Sequence, residues 1–365
     1  MDYINTPMNK IGRVVTGKTP STAVPEYYDG EIMFITPTEL HTDFMVERSE
    51  KTITQAGFDS IKTNTIRGTS VMVGCIGWDM GNVALCTETC ATNQQINSIT
   101  DIKSAYNPLY LYYWLKTKKD YLFSIASVTR TPILSKSTFE EILVPMPKKD
   151  KQDAVARVLS AIDKKITLNN RINDNLQQMA YDTYMHLFFK KQPNGKLGEI
   201  IEENNKSTVQ VGEAKGESGG YPFFTSGDAI LEWNCSMVDG RNCFLNTGGN
   251  AGIKFYIGDA AYSTDTWCIT ANRNLADYLY LLLLSIKTEL NQKFFQGTGL
   301  KHLQKPLLKD RMIYIPSEQE ITDFNSKVQP LMDMISANTR ENKRLANLRD
   351  WLLPMLMNGQ ATVSD

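Results

Sequence analysis

Three short runs in this sequence have the spacing of catalytic or nucleotide-binding motifs. Gly12 to Thr19 satisfies GxxxxGK[ST], a loop whose backbone N–H groups cradle phosphate where a helix begins. Asn107-Pro108-Leu109-Tyr110 approximates the NPPY tetrad of adenine methyltransferases, and Phe295-Gln296-Gly297-Thr298-Gly299 has the FxGxG spacing of their cofactor loop. The phosphate-loop context fails: Pro20 and Pro25 flank a stretch without helical periodicity, no buried strand precedes Gly12, and no apolar strand ending in Asp supplies a magnesium ligand. Metal chemistry has no foothold either. The 6 cysteines contain no CxxC pair and the 3 histidines, His41, His186 and His302, are not grouped with them, so neither a zinc site nor a disulfide framework is expected.

The elements that would position such residues come in duplicate. A helical stretch beginning at Lys151 and a second beginning at Ile321 superpose by a fixed shift that pairs Asn169 with Asn338, Arg171 with Arg340 and Asn173 with Asn342. The same shift pairs Leu134 and Lys136 with Leu303 and Lys305. Steps of four and three residues pick out Val155, Leu159, Ile162, Ile166, Asn169, Asn173, Leu176, Ala180, Thr183 and Leu187 in the first stretch. In the second they pick out Phe324, Val328, Leu331, Ile335, Asn338, Asn342, Leu345, Arg349, Leu352 and Leu356. That is a coiled-coil seam with polar layers in its middle.

Each helix spans on the order of 55 Å at ~1.5 Å per residue, whereas the ends of a globular domain lie close together. Antiparallel helices satisfy both lengths, in a register that sets Asn169 against Asn342 and Asn173 against Asn338. The expected fold is therefore mixed α/β (α+β): two globular α/β domains separated by two long antiparallel coiled-coil helices, as an internal pseudo-two-fold repeat. The boundaries fall at 1–147 and 193–316 for the domains, and at 148–192 and 317–365 for the helical spacers. Within the domains, strands are expected at Ile32–Ile35, Val71–Val73 and Ile253–Ile257, and one helix in each, Leu109–Lys118 and Ala276–Phe294.

The duplication argues against the methyltransferase reading, because the NPLY run lies in the first domain and the FxGxG run in the second. One enzyme fold would need both in one sheet. A net charge of -1, from 39 basic and 40 acidic residues, announces no polyanion-binding surface by itself. The longest apolar run, Tyr278 to Leu284, is far short of the ~20 residues that cross a bilayer, and no signal-peptide pattern opens the chain; a cytoplasmic protein without membrane contact is expected.

The runs Thr16 to Leu40, Ala91 to Ile96 and Thr129 to Pro147, with the helix that follows, resemble the target recognition domain and conserved helix of type I restriction-modification specificity subunits. Gly219 to Asp228, Asn246 to Trp267 and Gln296 to Glu320 repeat that order, so the resemblance runs almost end to end. It implies a subunit without a catalytic centre and with no cofactor of its own. Its partners would be double-stranded DNA and two modification subunits that use S-adenosylmethionine to methylate adenine N6, with restriction subunits joining for cleavage. Each domain would read one half of a split site in the major groove, and the helices would act as a ruler. The rivals are a catalytic adenine methyltransferase and a coiled-coil scaffold without DNA contact.

Base readout needs donors and acceptors on loops held by a rigid scaffold. In the first domain Lys18, Thr19, Thr36, Thr38, Arg130 and Thr131 meet this, Arg130 being suited to bidentate contact with guanine. Thr225, Ser226, Asn250, Lys254, Thr298, Lys301 and His302 meet it in the second. Trp78 and Trp233 have the rings to wedge or stack, but core packing is the expected fate of both.

Overall fold

The heptad-patterned stretches form two uninterrupted helices, Lys149–Leu187 and Glu318–Met357. Every seam position read from the heptads is buried or half-buried. The computed structural model describes residues 3–41, 44–128, 130–217 and 219–361. They form two compact units, one of residues 1–167 with 342–365 and one of residues 168–341. Both long helices therefore contribute a segment to each unit.

In unit 1, Arg13–Thr16, Ile96–Thr100, Ser70–Gly74 and Val83–Cys86 lie side by side, in that order, as an antiparallel sheet. Alternate residues of a strand face opposite sides, and both sides here are apolar. Val71, Val73, Leu85 and Ile99 share a core with Tyr110, Leu111 and Tyr113 of the helix Pro108–Lys116. Met72, Ala84, Cys86 and Ile96 face the other way, onto Ile35 and Ile66 of a second sheet. That sheet orders Lys51–Ile53, Tyr28–Ile35, Cys90–Thr92 and Thr65–Ile66, with Tyr28–Ile35 and Cys90–Thr92 parallel.

Unit 2 repeats the layers. Ile201–Glu203, Thr266–Ala271, Arg241–Asn246 and Ile253–Ile257 form its antiparallel sheet, in that order. Cys243, Leu245 and Ile269 pack with Leu279 of the helix Ala276–Ser285. Phe244 and Cys268 face a smaller sheet of Ile230–Trp233, Tyr221–Phe224 and Ala261–Tyr262, where the Phe244 ring stacks on Phe224 at 4.0 Å between centroids. The unit 2 helix is shorter than its apolar run suggests. Ile286 leaves helical geometry at φ -106 and ψ 14, and a wide π turn, Leu290–Phe294, follows. That turn buries both Leu290 and Phe294.

The long helices also join the cores. In unit 1, Val155 and Leu159 share a cluster with Leu353, Leu356 and Met357. Beside it Arg349 Nη1 donates to Asp163 Oδ1 at 2.7 Å, and Tyr113 OH donates to Asp163 Oδ2 at 2.6 Å. In unit 2, Asn338 Nδ2 donates to Asn173 Oδ1 at 2.8 Å, and Asn169 Nδ2 donates to Glu341 Oε2 at 2.7 Å. Phe188 meets Phe324 edge-on at 5.3 Å. Numbers rise along one helix as they fall along the other, so within unit 2 the two segments run antiparallel.

The second long helix begins at a capping box. Ser317 N donates to Glu320 Oε2 at 2.9 Å, and Glu320 N donates to Ser317 Oγ at 3.4 Å. Lys191 and Tyr314 also bond the Glu320 carboxylate. The Lys191 ammonium above all, then the Ser317 amide and the Tyr314 hydroxyl, hold the Glu320 carboxyl down to about 2. A depressed folded-state value means stabilisation that is complete above the ordinary carboxyl range and lost as pH falls toward 2. Glu320→Gln is expected to flatten the decline in urea midpoint between pH 5 and about 3, while costing about 1 kcal/mol near neutrality, the usual worth of a cap. An unchanged acid limb in the variant would show that Glu320 does not carry it.

Candidate nucleic-acid interface

In unit 1 the sheet ends are gathered by backbone hydrogen bonds around residues 93–96. Gly17 N donates to Ile96 O at 3.0 Å, Asn93 N to Ile35 O at 3.1 Å, and Cys75 N to Gln95 O at 2.7 Å. Gly77 N donates to Pro132 O at 3.0 Å and Leu134 N to Cys75 O at 2.9 Å, adding the hairpin of Ser127–Val128 and Pro132–Ile133. Gly17 must be glycine here, since a Cβ would lie 2.2 Å from the Asn93 carbonyl. The loops after Thr16, Ile35 and Gly74 and the hairpin strand Pro132–Ile133 are thus tied into one cluster.

That cluster brings together Lys18, Thr19, Thr36, Thr38, Arg130 and Thr131. Lys18, Thr38, Arg130 and Thr131 are exposed. Thr19 Oγ1 donates to Gln94 Oε1 at 2.9 Å, so an exposed amide missing from the candidate set belongs beside it. Thr36 spends both its amide and its hydroxyl on Glu39 Oε2, at 2.8 Å each. Burial opposes the Glu39 charge, yet bonds from Glu50 and Thr36 hold its carboxyl below the usual range. Thr36 therefore shapes its loop. Thr129, which opens one of the family-like runs, lies outside the described residues.

Unit 2 builds the same frame from different residues. Thr247 N donates to Asp265 O at 3.1 Å, Gly249 N to Lys301 O at 2.9 Å, Leu303 N to Thr247 O at 3.0 Å and Ser263 N to Phe224 O at 2.9 Å. Asn250, Thr298, Lys301 and His302 are exposed on this cluster. Thr225 is buried, with Oγ1 donating to Ala229 O at 2.9 Å. Half-buried Lys254 donates to the carbonyls of Thr225, at 2.8 Å, and of Gly227; burial lowers its pKa. Ser226 Oγ donates to Asp265 O. In this structure Thr225, Ser226 and Lys254 tie their loop down, and their polar atoms point inward.

The catalytic look-alikes have structural employment. Arg13–Thr16 is a strand, and Lys18 leads into an extended segment rather than a helix. Asn107 caps the helix Pro108–Lys116: its Oδ1 accepts from Leu109 N at 2.8 Å and Tyr110 N at 3.2 Å, and Nδ2 donates to Asp153 at 2.6 Å. Phe295–Gln296 pairs with His302–Leu303, so the FxGxG glycines form a hairpin loop. No group of His, Cys, Asp and Glu able to hold a metal ion occurs among the described residues. Trp78, expected in the core, is 71% exposed, while Trp233 is half-buried against Phe223. No described helix is long and apolar enough to cross a membrane.

Residues 7–178 and 191–345 match a family model described as the type I restriction modification DNA specificity domain. The chain is 26% identical to the type I restriction enzyme MjaIX specificity subunit of Methanocaldococcus jannaschii, over 97% of this chain and 92% of that protein. It is 22% identical to the MjaVIII specificity subunit of the same organism, over 78% of this chain and 76% of the relative. Among solved structures, the type I restriction-modification S subunit from M. genitalium superposes with a TM-score of 0.63 at 16% identity, covering 98% and 96% of the two chains.

Proposed function

Because the chain belongs to the type I restriction modification DNA specificity family, we propose that its two loop clusters each read one half of a bipartite DNA site. The chain is the non-catalytic, DNA-specifying subunit of a type I system. The observation that carries the bipartite reading is the duplicated loop frame: the same backbone bonds, Gly77 to Pro132 and Gly249 to Lys301, hold different exposed side chains. One reader with two copies of one frame and two sets of tips suits two half-sites of different sequence.

In this reading residues 1–147 and 193–316 are the recognition domains, and 148–192 and 317–365 are helical spacers that set the half-site distance, with their seam fastened at Asn173 and Asn338. Lys18, Thr19, Thr38, Arg130 and Thr131 face one half-site, and Asn250, Thr298, Lys301 and His302 the other; Thr36, Thr225, Ser226 and Lys254 hold the loops. Type I specificity subunits assemble with modification and restriction subunits. Here two modification subunits, each with S-adenosylmethionine, would methylate adenine N6, in the cytoplasm. The net charge of -1 assigns most phosphate neutralisation to those partners, so the isolated chain binds DNA weakly, and with a shallower salt dependence than the full complex.

Exchanging residues 193–316 for the corresponding domain of another family member, and sequencing the methylated sites in cells that also make the modification subunits, tests the reading. One half of the target changes and the other stays. A change in both halves would refute independent readers.

A further inference from the structure

Trp78 is the most exposed aromatic side chain among the described residues, at 71%, and it stands on a loop closed by backbone hydrogen bonds. Gly77 turns the chain at φ +105, a backbone conformation that favours glycine. Gly81 N donates to Gly74 O at 2.8 Å and Met80 N to Gly77 O at 3.2 Å, closing the turn beneath the indole. Phe123 supports the ring from one side, at 6.1 Å between centroids. The adjacent Asp79 is paired with Lys119 at 2.6 Å, so it presents no lone negative charge to a polyanion.

The second unit carries the same tip. Thr247, Gly248 and Gly249 make the bonds that Cys75, Ile76 and Gly77 make in the first: amide to Asp265 or Gln95, bridge to His302 or Ile133, amide to Lys301 or Pro132. Gly249 too has positive φ, +78. The residue presented next is Asn250 in one unit and Trp78 in the other. A frame kept in detail whose tip is an amide in one copy and an indole in the other serves presentation of that side chain rather than its packing. Arg130 and Thr131, beside Pro132, flank the Trp78 tip.

We propose that Trp78 is the apolar base contact of unit 1, its indole packing on a thymine C5-methyl in the major groove, while Asn250 occupies the equivalent tip of unit 2 with an amide suited to adenine N6 and N7. This rests on the bipartite reading above and adds the residue that discriminates one base pair. An exposed indole brings large, rigid apolar area to a contact at little entropic cost.

The test expresses Trp78→Ala, Trp78→Phe and Trp78→Asn with the modification subunits in cells, and compares methylated sites genome-wide. Trp78→Ala is expected to relax one base pair in the half-site read by residues 1–147, with discrimination there falling about fourfold, the worth of one buried methyl group, and to leave the other half unchanged. Trp78→Phe retains most of that preference, and Trp78→Asn, which installs the side chain of the other tip, moves it toward adenine. An unchanged motif and rate in both Trp78→Ala and Trp78→Asn would sink the proposal, and so would loss of co-purification of Trp78→Ala with the modification subunits, which would make the indole a protein contact. If exchanging residues 193–316 still switches its own half-site in either case, the bipartite reading survives and only the assignment of Trp78 falls.

Discussion

Arg349→Ala lowers the unfolding free energy of unit 1 by about 3–5 kcal/mol, the range for breaking a buried ion pair on one side. The Asp163 side chain is 4% exposed and that of Arg349 16%, so water does not take over when the guanidinium is removed. Among the described residues Tyr113 would then be the hydrogen-bond donor left to the carboxylate, with only the longer-range attraction of Lys116 to add to it. Burial and the neighbouring carboxylate already push the Tyr113 hydroxyl far above the ordinary tyrosine range, so it stays a donor throughout the accessible pH range. Replacing Asp163 and Arg349 together by Leu and Met is expected to recover much of the loss, since an apolar pair of similar volume leaves no charge stranded. Denaturant unfolding of the full chain, followed by circular dichroism, measures both; a loss under about 1 kcal/mol in Arg349→Ala would show that the pair is solvated.

Deleting one heptad from a single long helix abolishes the Asn173–Asn338 bond, because Asn338 then meets Ile166 or Ala180 and a half-buried amide loses its partner. Deleting one heptad near the centre of both keeps the seam and shortens the proposed spacer by about 10 Å at ~1.5 Å per residue. That is about three base pairs at ~3.4 Å each along one strand, and it turns the groove by roughly a quarter to a third of its ~10.5-pair repeat. The matched variant is expected to methylate sites with a shorter spacer, at reduced rate; the unmatched variant is expected to fail at assembly. Sequencing of methylated sites decides the matter, and full activity on the original spacer in the matched variant would remove the ruler.

Periodicity made the long helices legible, since a heptad must be written into the chain for a seam to exist, and the Asn173–Asn338 bond lies where that register puts it. Asn169 adds what a register does not specify: its amide donates to Glu341, the neighbour of the Asn342 that the register names. Loop residues were less legible for a related reason. Thr36 and Lys254 look like surface donors in a sequence, but their bonds to Glu39 and to the Thr225 carbonyl depend on turns that only the folded chain forms. Hydrophobicity ranks Trp78 as core, while its exposure follows from the glycine turn beneath it. The presence of Gly77 just before an aromatic, at the place where Gly249 precedes Asn250, was the available signal.

Unit 2 is continuous in sequence, residues 168–341, whereas unit 1 joins the beginning of the chain to its last two dozen residues. On a ribosome the chain emerges from its N-terminus, and domains close in the order in which their parts become available. Unit 1 therefore starts first and finishes last. Its helix Pro108–Lys116 and the buried Asp163 wait through the synthesis of all of unit 2 before Arg349, Leu353, Leu356 and Met357 arrive to cover them. A chain that has emerged as far as residue 341 holds everything unit 2 needs and an open apolar face on unit 1, so a late stop codon that spares every recognition loop still leaves the first domain without part of its core.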